Sequence, residues 1–152
     1  MQPAASSKSL ARSARATVHV DVPVAKDLSE RANGEHLRLL RQKVIAALRS
    51  NTQIPIDVHM KGSPKGYGLW LRIRSIGERQ EAGVSFVDVR CEMTLVALPS
   101  QALRLSSSAT AGAGIEGTLT KSLTSELIVD GIKACAPALA TDFIDYARAR
   151  AR

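Results

Sequence analysis

Aromatic residues are scarce in this chain: one Trp, two Tyr and two Phe make up 3% of its 152 residues. A core built from it has to be aliphatic, and a platform that stacks several bases on several rings is excluded. Cysteine is limited to Cys91 and Cys135. Their spacing fits no zinc motif, and two ligands are too few without histidine nearby in sequence. No apolar run approaches the length of a membrane span. The opening "MQPAASSKSLARSARA" carries basic residues but no apolar centre, so it does not read as an intact secretory signal. The expectation is a cytosolic protein, or a mature or excised piece of a longer one.

Motifs that carry chemistry are also missing. Ser106, Ser107 and Ser108 lack the Gly-x-Ser-x-Gly setting of a nucleophile elbow. The triplets "GYG" and "GAG" do not lead from a buried strand into a helix, as a phosphate-binding loop requires. No pair of carboxylates stands out. His19 and His59 fall on the polar faces of two strands and read as surface histidines rather than a metal pair. No enzyme, no cofactor and no metal is expected.

The net charge of +7 points at first to nucleic acid. Its location weakens that reading. Lys8, Arg12, Arg15, Arg148, Arg150 and Arg152 lie in the two tails, which leaves 15 cations against all 14 anions between Ala16 and Ala147. Residues 1–15 read as a disordered basic arm, 16–147 as one domain and 148–152 as a basic tail. With 45% hydrophobic residues the domain has material for a real core.

Periodicity supplies the elements. "TVHVDVPV" places Val18, Val20, Val22 and Val24 on one strand face, with Pro23 marking an edge or an end. "EHLRLLRQKVIAALRSN" is helical from Glu35, with Leu37, Leu40, Val44 and Leu48 in one stripe and Arg38, Arg41, Ile45 and Arg49 beside it. "IPIDVHM" turns Ile54, Ile56, Val58 and Met60 inward. "YGLWLRIRSI" turns Tyr67, Leu69, Leu71 and Ile73 inward, and "VSFVDVRCEMTLVAL" does the same with Val87, Val89, Cys91, Met93 and Leu95.

A hairpin centred near Gln80 would set Leu71 against Val89, Leu69 against Cys91 and Arg72 against Asp88, with "GERQEAG" as its turn. "ALRLSSSATAGAG" keeps the alternation through Leu103, Leu105, Ser107, Ala109 and Ala111, and its small residues invite a helix to lie on them. That helix is the last segment, from Thr118 or Thr120 as cap, with early acidic residues and a kink or break at Pro137. The expected fold is α+β: one mixed or antiparallel sheet of about five strands with two helices on one face, in the order β-α-β-β-β-β-α.

Two features remain. Cys91 and Cys135 both point into the layer between sheet and last helix and should lie close enough to bond. They are either two buried thiols or one disulfide, and a disulfide implies an oxidising compartment. Neither sits in the basic, exposed setting of a nucleophile. Trp70, Arg72, Arg74, Phe86 and Arg90 form the outward face of the hairpin and are the candidate interface. Asp88 and Glu92 beside them would repel phosphate.

The segments "LRLLRQKVIAAL", "KGYGLWLRIRSI", "VDVRCEMTLVALPSQALRLSSSATAGA" and "LIVDGIKACAPALATDFIDY" follow one another in an order that resembles a known domain. It is the small α/β domain of bacterial envelope lipoproteins: the curli secretion lipoprotein, the penicillin-binding-protein activators and the amino-terminal domain of the Tol propeller protein. The likeness spans residues 35–147 and is closer still to a domain of myxobacterial HEAT-repeat proteins. It implies a non-enzymatic protein-interaction or assembly domain of the cell envelope or periplasm, with a protein partner. The alternative is a cytosolic, nucleic-acid-associated protein that uses its basic arms.

Overall fold

The computed structural model describes residues 16–59 and 65–150. The arm at 1–15, Met60 and the last two residues of the tail lie outside that range. The elements run β1 (Val18–Asp21), β2 (Lys26–Asp27), α1 (Gly34–Ser50), β3 (Ile56–His59), β4 (Gly66–Glu81), β5 (Val84–Leu98), β6 (Ala102–Glu116) and α2 (Lys121–Arg150). One mixed, six-stranded sheet has the order β3-β1-β4-β5-β6, with β2 also paired to β4. β1 is parallel to both β3 and β4, and β4-β5-β6 is an antiparallel meander.

Pro23 ends the first strand, as its missing N–H demands, but that strand lies between β3 and β4 rather than at an edge. The chain then leaves the sheet and returns two residues wide as β2. Val20 and Val22 are fully buried, whereas Val24 is carried outward and exposed.

α1 begins where Asn33 caps it. The Asn33 side chain accepts from the His36 N–H at 2.9 Å, and His36 Nδ1 accepts from the Asn33 N–H at 3.1 Å. This reciprocal pair satisfies two of the orphan donors of the first turn. His36 is itself buried and contacts Ser125 Oγ of α2 at 3.2 Å. Leu40, Val44, Ile45 and Leu48 form the buried stripe.

α2 starts at the Thr120 cap, whose Oγ1 accepts from the Leu123 N–H at 3.1 Å. Its first turn holds no acidic residue, contrary to the sequence expectation. Pro137 does not break it either. Pro137 and Lys133 both stand on the exposed side, where water can take the place of the lost hydrogen bond. The helix also includes Arg148 and Arg150, which composition had assigned to a tail.

Both helices pack on one face of the sheet and on each other. Leu69, Ile73, Val87, Val89, Cys91, Met93 and Leu95 are fully buried beneath Leu127, Ile128, Ile132, Leu139 and Phe143. Each such aliphatic side chain contributes about 1.5–3 kcal/mol relative to exposure. Ala109, Ala111 and Ala113 of β6 face α2 as a low surface that lets the helix come close.

The β4-β5 hairpin differs from expectation in register. Leu71 pairs with Met93, Leu69 with Leu95, Ile73 with Cys91 and Arg72 with Glu92. The turn is only Ala82-Gly83, with φ of 51° and 80°. That is the geometry of a two-residue hairpin turn whose twist matches the strands. "GERQE" is strand, not turn. A bulge between Ile73 and Ser75 then restores the inward face at Ile76, which opposes Val89. A second bulge between Leu95 and Val96 turns Leu103 to the outer face, where it is 63% exposed instead of joining Leu105 inside.

Candidate functional site

The outer face of the sheet, opposite the helices, carries most of the candidate residues. Trp70 is half-buried. Its ring lies over Gly68, where an added Cβ would stand 3.0 Å from the indole and 3.1 Å from Val96 Cγ2. Val96 is covered in this way, and the exposed Leu103 stands directly across from it in the ladder. Trp70, Val96 and Leu103 thus form one apolar strip. The sequence pattern had placed Leu103 on the opposite face, because the bulge that turns it has no local signal.

The arginines around that strip are largely committed. Arg72 Nε donates to Glu92 Oε1 at 2.8 Å, and its Nη1 donates to Thr94 Oγ1 at 2.7 Å. Arg90 lies 3.8 Å from the other oxygen of Glu92. Arg74 sits at the bulge and is exposed. Phe86 packs beneath Arg79, whose guanidinium carbon is 4.2 Å from the ring centre. Arg79 also donates to Asp88 at 2.7 Å and pairs with Glu81. The face is therefore close to charge-balanced, with carboxylates interleaved among the cations.

On the helix side the two cysteines do meet. The Cys135 thiol points at the carbonyl oxygens of Val89, at 3.5 Å, and Ala109, at 3.4 Å. Cys91 lies beside Cys135, close enough for each to shift the other's titration. The disulfide offered as one alternative for Cys91 and Cys135 is absent, and both are free, buried thiols. The hydrogen bond to Cys135, reinforced by burial, pushes the Cys91 thiol well above the usual thiol range.

Several clefts open at the surface of the described residues. One of about 690 Å³ lies between Val18, His19, Gly66, Tyr67 and Arg150, and an adjoining one of about 380 Å³ adds Arg104 and Tyr146. Tyr67 stacks edge-on against Tyr146 with ring centres 6.0 Å apart, and burial raises its pKa. A third groove of about 640 Å³ runs along α1 between Val24, Ile45, Arg38 and Arg49. The Arg38, Arg41 and Arg49 stripe borders it, and Arg41 Nε is held by the Val22 carbonyl at 2.6 Å.

The histidines read as separate surface residues come together. His19 Nδ1 is 2.9 Å from His59 Nε2. Asp57 Oδ2 lies 3.5 Å from the first and 3.4 Å from the second. The parallel ladder explains this meeting: His19 pairs with Asp57, and His59 follows two residues later on the same face. Among the described residues this is the one group of three His, Cys, Asp or Glu side chains whose donor atoms all lie within 4.8 Å of one another.

No helix among the described residues is long and apolar enough to cross a membrane. No protein-family model matches the chain, and no curated protein does. Solved structures do. Protein XCC0632 from Xanthomonas campestris, of family DUF330, superposes with a TM-score of 0.65 at 10% identity, over 90% of this chain and 89% of that one. The hypothetical protein CT253 from Chlamydia trachomatis gives 0.52 at 8% identity, covering 90% and 98%. Lipoprotein GNA1162 from Neisseria meningitidis gives 0.50 at 12% identity, covering 84% and 99%. What this chain shares with these bacterial proteins, a lipoprotein among them, is the α+β fold over nearly its whole length.

Proposed function

We propose that this is a non-enzymatic protein-interaction or assembly domain of the bacterial cell envelope. The observation that carries the interaction reading is the apolar strip of Trp70, Val96 and Leu103 on the sheet face opposite α1 and α2. A half-buried Trp beside an exposed Leu, ringed by paired charges, has the make-up of an interface centre with a polar rim. The fold shared with a lipoprotein supports the envelope. The cysteines, as free thiols, lend no support to an oxidising compartment. The charge balance of the outer face disfavours nucleic acid.

A photo-crosslinking residue at position 103, expressed in the cell that encodes the chain, tests the reading. Discrete protein adducts in the envelope fraction, lost on Trp70→Ala, are expected. A cytosolic protein without adducts, whose DNA or RNA affinity falls steeply with salt and vanishes when residues 1–15 are removed, would overturn it.

A further inference from the structure

We infer that His19, Asp57 and His59 form a binding site for a divalent ion of the Zn2+ class. The site sits on the outer sheet face, across the edge strand β3 and its neighbour β1. It stands on the ladder geometry and not on the interaction function proposed above.

The distances carry the inference. With metal–ligand bonds of about 2.0–2.1 Å, two ligands on a tetrahedral ion are about 3.4 Å apart, and two at right angles are about 2.9 Å apart. The three donor separations are 3.5, 3.4 and 2.9 Å. His19 Nδ1, His59 Nε2 and Asp57 Oδ2 therefore form a triangle that one ion can cap, with a further position open to solvent. Without an ion, the two ring nitrogens share one proton in a hydrogen bond of 2.9 Å, and the carboxylate oxygen stands 3.4–3.5 Å from both, free to turn towards an ion.

The backbone presents the donors in place. β1 and β3 are joined through four consecutive register pairs, Val18–Ile56 to Asp21–His59. Val20 and Val58, on the opposite face, are buried in the core and anchor both strands. Gly66 presses on the other side of β1: an added Cβ would stand 2.3 Å from the His19 carbonyl. The ligand side chains stay partly open, at 35% for His19, 56% for Asp57 and 32% for His59, so an ion has a path in. Asp21 stands across from His59 and adds negative charge to the same face.

The donor set selects the ion. Two imidazoles and one carboxylate suit Zn2+ and its neighbours, while Mg2+ and Ca2+ prefer all-oxygen shells. The other candidate ligands are engaged elsewhere: His36 caps α1, and Cys91 and Cys135 are buried.

The test uses the full 152-residue chain without an affinity tag. Calorimetry with Zn2+ should give one ion per chain, and Zn2+ should raise the thermal midpoint. His19→Ala and His59→Ala should each weaken binding more than about tenfold. Should a variant fail to fold, the wild-type chain still decides the matter. Zn2+ should shift the imidazole resonances of His19 and His59 and leave those of His36 in place. Co2+ should give a visible spectrum without a thiolate charge-transfer band. Absence of saturable binding, binding unchanged in the folded variants, shifts confined to His36, or a thiolate band would each overturn the inference.

Discussion

Gly131 of α2 meets Val89 of β5 so closely that a Cβ added to the glycine would stand 2.7 Å from Val89 Cγ2 and 3.0 Å from Val89 Cβ. The helix can lie this low because β6 offers Ala109, Ala111 and Ala113 beneath it. Val89 is fully buried and β-branched, so it has little room to turn away. Gly131→Ala gains up to about 1 kcal/mol of helix propensity. Overpacking of this kind costs about 1–3 kcal/mol. The expected outcome is a net loss of stability, read as a lower urea midpoint with an unchanged slope. The double change Gly131→Ala with Val89→Ala should relieve the clash but open a cavity, giving measurable coupling between the two sites.

The hairpin turn is open to improvement. Ala82 holds φ of 51° and Gly83 φ of 80°. Glycine accepts that region freely, alanine does not, and asparagine is the favoured first residue of such a turn. Ala82→Asn should stabilise the domain by about 0.5–1 kcal/mol, provided that the hairpin tip is folded in the same cooperative unit. Chemical denaturation checks the gain, and amide exchange at Val84 and Glu81 shows whether the tip shares in it.

Where burial imposes a period, the fold was legible. Every second residue from Val87 to Leu95 is fully buried, and that alternation is visible in the letters alone. The tip of the same hairpin was misread because it has no such period. Gly77 to Glu81 are all exposed, so polarity there reads as loop although the residues are strand. Register then slipped, and with it the partner of Arg72, which is Glu92 rather than Asp88. Bulges were invisible for the same reason that they matter: one inserted residue reverses the face, as at Leu103.

The histidine cluster lay beyond any local pattern. His19 and His59 are forty positions apart in sequence and meet only because β1 and β3 pair in parallel across α1. The meeting of Cys91 with Cys135 could be read from two independent periodicities, strand and helix. That they stand as free thiols could not, because neither periodicity reports the bonding state of the two sulfurs.

Leu103 gives a cleaner probe of the outer face than Trp70. Trp70 shields Val96, so Trp70→Ala removes packing as well as any partner contact, and a stability loss of about 1–2 kcal/mol is expected. Leu103 is 63% exposed. Leu103→Ser should change stability by no more than about 0.5 kcal/mol. Loss of crosslinked adducts to a neighbouring outer-face probe in that variant, with the thermal midpoint unchanged, marks the strip as a contact surface. Adducts that persist show that the strip is only exposed.

The cysteine pair makes the last prediction, which concerns pH. In the folded chain the Cys91 thiol is held well above its ordinary value of 9.0, first by its hydrogen bond to Cys135 and then by burial. A raised value means that the folded state keeps a proton that the unfolded chain releases. The contribution to stability is fully present below the unfolded thiol value and declines as pH climbs above it. The slope approaches about 1.4 kcal/mol per pH unit for one such group. Tyr67, raised by burial and by Tyr146, adds a decline of the same sign from about pH 10. Cys135 is shifted downward by the same interaction, so it adds stability as pH rises towards the ordinary thiol value, and the net fall in urea-unfolding stability should set in only above about pH 9. Cys91→Ala should flatten the first part of the fall at some cost in packing, and leave the tyrosine part. In the native state both thiols should resist a disulfide-exchange reagent and react only as fast as the domain opens. A native thiol that labels at once, or an alkaline fall unchanged by Cys91→Ala, would show that the pair is less enclosed than its contacts with Val89 and Ala109 imply.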